Sequence, residues 1–158
     1  MFAKQRVPVK CPRCGTAFAA EVHTIIDVGQ EPALKDQFLA GRLNGAACPS
    51  CNTPVALAAP LLYHDPQKEF IGVYVPPQAN LTEPERQRRI GEMTNLLISK
   101  LPAERRKAYL LQPKQYLSLQ SMMEAILAAD GITPEMIQEQ RARIDLLQRL
   151  MQAATSEE

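Results

Sequence analysis

Cys11-Pro12-Arg13-Cys14-Gly15 and Cys48-Pro49-Ser50-Cys51-Asn52 are the stretches on which the reading of this chain turns. Between them they hold all four of its cysteines. A CxxC turn sets two thiolates on one side of a tight loop. Gly or Asn after the second cysteine takes positive φ at little cost, so backbone N–H groups can point at sulfur. Two such loops facing each other give a tetrahedral cage of four sulfurs, the geometry of a structural Zn²⁺ site. Cys11, Cys14, Cys48 and Cys51 are therefore the expected ligands of one zinc ion. Lys10 and Arg13 stand where they could offset the surplus negative charge of four thiolates. The interval from Cys14 to Cys48 is 33 residues, longer than the usual ~15–20. An inserted helix accounts for the excess.

Other uses of four cysteines compete. A thioredoxin-type redox pair needs its first cysteine at a helix N-terminus after a βαβ lead-in. Only ten residues precede Cys11, and the segment after Cys14 alternates like a strand. An iron–sulfur centre would also use four thiolates, although the spacing is not that of common ferredoxin runs. Unliganded buried cysteines do not come as paired CPxC loops. A catalytic zinc keeps an open position, which a fourth cysteine closes, so the expectation is a non-enzymatic protein. With four sulfurs in place, His23 and His64 are expected at the surface rather than on the metal. His23-Thr24-Ile25 lacks the glutamate of the zinc deaminases, and no HExxH, P-loop or GxSxG motif is present.

Outward from the cysteines, the chain changes character near residues 76–80. Phe18, Ala20, Val22, Thr24, Ile26 and Val28 share one face of a period-2 stretch, expected as a strand or hairpin arm. Leu34, Phe38 and Leu39 suggest a short helix over 32–43, ended at Asn44-Gly45. Residues 54–75, with turn chemistry at His64-Asp65-Pro66-Gln67-Lys68, suggest a hairpin closing on Phe70–Val75. Pro76-Pro77-Gln78-Ala79-Asn80 is a stiff connector. Thr82 and Glu85 then form a capping box with Pro84 in the first turn, and Ile90, Met93, Leu97 and Leu101 form one stripe. Further helices are expected from Pro102 to Leu111, from Ser118 to Ala129 and from Thr133-Pro134 to Ala153. The last carries Ile137, Gln140, Ile144, Leu147 and Met151 at 3/4 spacing, about two heptads, fewer than a coiled coil usually needs. The expected fold is α+β: a zinc-ribbon-like antiparallel β module with an inserted helix over 1–76, a linker at 77–80, and an all-α region of about four helices over 81–158.

At this level the two CPxC motifs, the strand and helical insertion between them, CPSC and the closing FIGVYVPP resemble the CpXC domain family of bacterial proteins. The resemblance covers roughly residues 5–76 and rests on Cys11, Pro12, Cys14, Gly15, Cys48, Pro49 and Cys51. It implies a cysteine-rich, zinc-ribbon-like domain and no reaction.

Composition narrows the partners. In 158 residues, 18 Lys+Arg oppose 17 Asp+Glu, a net charge of +1 that argues against binding nucleic acid or membrane through bulk charge. Arg86, Arg88, Arg89, Lys100, Arg105, Arg106 and Lys107 form a local basic concentration, but Glu83, Glu85, Glu92 and Glu104 balance it. Residues 43–64 carry no charge, yet Pro49, Pro54 and Pro60 forbid a continuous helix in lipid. No apolar leader opens MFAKQRVPVK, so a cytoplasmic location is expected. The leading functional expectation is a zinc-stabilised platform for a protein partner or for self-association, through the FIGVYV strand and the helical stripes. Its rivals are nucleic-acid binding through the Arg86–Lys107 helices and a thiol–disulfide protein.

Overall fold

The computed structural model describes Phe2, residues 4–77 and residues 80–156. Gln78 and Ala79 of the expected linker, and Glu157 and Glu158 of the polar tail, lie outside the described residues. The architecture is mixed α+β, with two compact units, Met1–Met123 and Glu124–Glu158.

The first unit begins with a strand the sequence did not announce. β1 (Gln5–Lys10) pairs antiparallel with β2 (Ala17–Val22), Lys10 opposite Ala17. Pro8 sits in β1 because this two-stranded ribbon leaves it an edge. The period-2 pattern holds through Val22, then breaks at His23, where the chain leaves the ribbon. β3 (Ile25–Asp27) is buried at every position in a different sheet. α1 (Ala33–Leu39) ends earlier than expected, at Gly41 with φ +72, whose N–H reaches Phe38 O while the Arg42 N–H reaches Gln37 O. Asn44 instead uses its side chain as a strut. Its Oδ1 accepts from the His23 N–H at 2.6 Å and its Nδ2 donates to His23 O at 2.8 Å.

β4 (Gly45–Ala47) and β5 (Pro54–Ala56) make a second small antiparallel ribbon. The single hairpin expected over 54–75 is thus divided. β5 closes this ribbon, and only β6 (Leu61–Asp65) and β7 (Phe70–Tyr74) form the hairpin, around an Asp65 side chain that accepts from the Gln67 N–H.

β6 and β7 occupy the middle of a four-stranded sheet of order β3-β6-β7-β8, where β8 is Lys114–Tyr116. β3 runs parallel to β6 and β8 parallel to β7, so this sheet is mixed rather than antiparallel. The region after residue 80 is correspondingly helical with one strand returned to the sheet, not all-α. α2 (Glu83–Ser99) starts as read, with Thr82 Oγ1 accepting from the Glu85 N–H. Its stripe of Ile90, Met93 and Leu97, followed by Leu101, packs with Phe2, Ile25, Leu62, Ile71, Val73, Val75 and Leu110 as one core on the sheet. On the opposite face an aromatic row runs from Phe38 through Tyr63 and Phe70 to Tyr116, with ring centroids 5.8 to 6.3 Å apart. Gly72 makes room for it: a Cβ there would lie 2.7 Å from the Tyr116 ring.

The helix expected over 102–111 is two short 3-10 turns, Ala103–Arg105 and Ala108–Leu111. Arg106 between them donates from Nε to Leu101 O at 2.9 Å, which caps the end of α2. Ser118 caps α3 (Leu119–Ala129), its Oγ accepting from the Ser121 N–H. In the second unit Gly131, with φ +83, follows the end of α3, and α4 (Pro134–Ser156) starts with Thr133 Oγ1 accepting from the Met136 N–H. No described helix is long and apolar enough to cross a membrane.

Candidate metal centre

The two ribbons carry the cysteines in the same way. Cys11 follows the last residue of β1 and Cys48 the last residue of β4; β2 and β5 resume at Ala17 and Pro54. Each six-residue link folds by the same hydrogen bonds. The Cys11 N–H donates to Thr16 O and the Gly15 N–H to Cys11 O; the Cys48 N–H donates to Thr53 O and the Asn52 N–H to Cys48 O. Gly15 (φ +76) and Asn52 (φ +60) take the left-handed conformation that the turn demands.

The loops face each other and interleave their sulfurs. Cys11 Sγ lies 3.6 Å from Cys51 Sγ, and Cys14 Sγ lies 3.5 Å from Cys48 Sγ. All four sulfurs fall within 4.8 Å of one another. A tetrahedral ion with metal–sulfur bonds of ~2.3 Å needs sulfurs ~3.8 Å apart, so the cluster is near the required size. Cys11 and Cys48 are buried, Cys51 is half-buried and Cys14 is exposed, and none is in a disulfide. Each second cysteine also meets the threonine two residues on. Cys14 Sγ is 3.1 Å from Thr16 Oγ1 and Cys51 Sγ is 3.0 Å from Thr53 Oγ1. These threonines were not among the expected site residues, although CPRCGT and CPSCNT place them at one offset.

The thiols are poised unequally. Hydrogen bonding from the Thr16 hydroxyl, then from its backbone, pulls Cys14 down to about 6. The Cys14 backbone N–H lowers Cys11. At Cys48 the Cys51 backbone N–H favours the thiolate, but burial and the neighbouring Cys14 and Cys51 thiols prevail and push it up to about 11. A bound divalent cation would favour the thiolate form at all four sulfurs. Lys10 adds positive charge nearby, its Cε 4.0 Å from where a side chain on Gly15 would begin.

Neither histidine joins the cluster, but only one is near the surface. His23 is half-buried, with burial lowering its imidazole pKa. His64, expected in a surface turn, is 1% exposed inside β6. Three members of the basic concentration have partners within the chain: Arg106 caps α2, Lys107 pairs with Glu69 at 3.1 Å, and Arg86 lies 3.9 Å from Glu83.

Two ribbons that present paired CxxC loops to each other define a four-cysteine protein fitted to hold a metal ion. The chain belongs to the CpXC protein family, whose model matches residues 9–139. The match runs well past residue 76 and takes in α2, β8 and α3. No curated protein and no solved structure matches the chain.

Proposed function

We propose that the chain is a non-enzymatic protein whose four cysteines hold one structural Zn²⁺, and that the assembled ribbons serve recognition of a protein partner or a second copy. The convergence of four sulfurs on one point carries this reading. Zinc suits a closed four-thiolate shell in a reducing compartment, and the closed shell leaves no coordination position for a substrate. The cytoplasm is the compartment that fits reduced, paired cysteines.

Of the strand and helical stripes expected to meet a partner, the strand and the α2 stripe are not open to one. Phe70–Tyr74 is an inner strand, and Ile90, Met93 and Leu97 are spent in the core, so neither is free to dock. Ile144, Leu147 and Met151 of α4 are 52%, 60% and 69% exposed and take their place as the candidate contact. Nucleic-acid binding is less favoured, since Arg86, Arg106 and Lys107 have partners within the chain. Native mass spectrometry with elemental analysis tests the reading. The expected result is one zinc per chain; iron in its place, or a stable metal-free protein as isolated, overturns it.

A further inference from the structure

A second polar cluster lies within the first unit and involves none of the cysteines. Asp27 and His64 are register partners across the parallel β3–β6 pair, 2% and 1% exposed. His64 Nδ1 lies 3.4 Å from Asp27 Oδ1, an electrostatic contact rather than an aligned hydrogen bond. On the other side of the ring, His64 Nε2 is 2.6 Å from Tyr109 Oη, and the two rings stack at 5.7 Å. Carboxylate, imidazole and phenol thus stand in line, and the phenol is the outer end. Tyr109 lines a cleft of about 560 Å³ together with Asp65, Pro66, Gln67, Arg105 and Lys107.

The charges around this cleft are nearly balanced. Asp27 of β3, Asp65 of β6 and Glu69 of the turn contribute three carboxylates, against Arg105 and Lys107. Asp27 accepts from the Gly29 N–H, Asp65 from the Gln67 N–H, and Glu69 pairs with Lys107. Arg105 is exposed and makes no ion pair among the described residues. Burial and these three carboxylates raise the Tyr109 pKa, so its hydroxyl keeps its proton. With neutral imidazole, the carboxylate favours the proton on Nδ1, and the phenol donates to Nε2. The site then carries surplus negative charge and turns no hydroxyl hydrogen outward. With imidazolium the charges are even. The protonated Nδ1 faces the Asp27 carboxylate, Nε2 donates to Tyr109 Oη, and the phenol hydrogen is released toward the cleft.

We propose that this cleft binds a small oxyanion, the carboxylate or phosphate head of a soluble ligand, through Arg105 and the Tyr109 hydroxyl, with Lys107 held beside them by Glu69, and that protonation of His64 opens it. His64 and Asp27 act as positioning residues, while Tyr109 and Arg105 touch the ligand. Binding and protonation are reciprocal, so the anion must favour the imidazolium as much as the imidazolium favours the anion.

The metal-loaded full chain tests this by NMR, with sulfate as the probe because its charge is constant over the range used. Saturable shifts at the Tyr109 ring are expected at about pH 5.5, with affinity about tenfold weaker at about pH 8. Arg105→Gln, an exposed change, should weaken binding about tenfold at the lower pH, and Tyr109→Phe should remove the difference between the two pH values. Formate as a second probe assigns the head group: response to both anions marks a general oxyanion site, and response to sulfate alone marks a phosphate site. Equal affinity at both pH values, an Arg105→Gln protein that binds like the wild type, or no saturable response overturns the proposal. Were Tyr109→Phe to unfold, the pH ratio and the Arg105 variant would still decide it.

Discussion

At the residue scale, Thr16 shows how a neutral side chain prepares a metal ligand. Its hydroxyl lies 3.1 Å from Cys14 Sγ and heads the causes that lower that thiol to about 6. Cys14 is therefore a thiolate at neutral pH before any metal arrives, while Cys48, at about 11, is a thiol. Thr16→Val keeps the shape and removes the hydroxyl. Thiolate absorbance of the metal-free protein, followed against pH, should show the lowest cysteine titration moving upward toward the ordinary thiol value. A titration unchanged by the substitution would assign the low value to the backbone and the neighbouring Cys48 and Cys51. The same inequality sets the proton balance of metal uptake. A bound thiol must lose its proton, so a depressed ligand gives up none above its pKa and a raised one gives up its own. Calorimetry of Zn²⁺ binding in buffers of different ionisation enthalpy should find fewer than four protons released at neutral pH. The number should climb, and the affinity fall, as pH drops through about 6, where Cys14 takes up its proton.

At the scale of elements, Gly72 controls how the middle of the sheet packs. It sits in β7 opposite Tyr63 and beside Lys114, under the Phe70 and Tyr116 rings. Gly72→Val introduces a Cβ where 2.7 Å is available and forces the Tyr116 ring aside, so β8 loses its register. Overpacking of this kind costs ~1–3 kcal/mol, read as a lowered denaturation midpoint with an unchanged slope. A variant as stable as the parent would show that the edge strand yields freely. These elements also mark the limit of what could be read from the chain. The CxxC loops, the Thr82 cap, the α2 stripe and the Gly131 turn were legible because each is a local rule with a fixed offset. Lys114-Gln115-Tyr116 was not, since three polar or aromatic residues after a proline become a strand only when β7 offers an edge. The Pro102–Leu111 segment read as a helix because its periodicity survives in 3-10 turns, whereas the Arg106 bond back to α2 is tertiary. Asp27, His64 and Tyr109 were invisible for the same reason. The parallel register of β3 on β6 joins the first two, and the turn after Lys107 brings in the third.

At the scale of the molecule, stability is divided between two kinds of structure. The mixed sheet and α2 share a core of eleven buried residues, Phe2 to Leu110, each worth ~1.5–3 kcal/mol when fully buried. Within the four ribbon strands only Val22, the last residue of β2, is buried. β1 alternates between exposed and half-buried, β4 and β5 offer one half-buried residue each, and both ribbons are two-stranded. An isolated two-stranded ribbon is marginal in water, so the ribbons depend on the ion that ties Cys11 and Cys14 to Cys48 and Cys51. The N-terminal half as a whole does not depend on the ion, because β3, β6 and β7 lie in that half and belong to the core. Metal removal should instead abolish hydrogen-exchange protection at Val7, Val9 and Ala20 of the first ribbon and at Val55 of the second. Protection at Leu62, Val73 and Leu97 should persist. The double variant Cys11→Ser, Cys48→Ser should reproduce that pattern without a chelator. Protection that survives metal removal in the ribbons would mean that hairpin pairing suffices there. Loss that spreads to Leu97 would mean that the ribbons and the core fold as one unit.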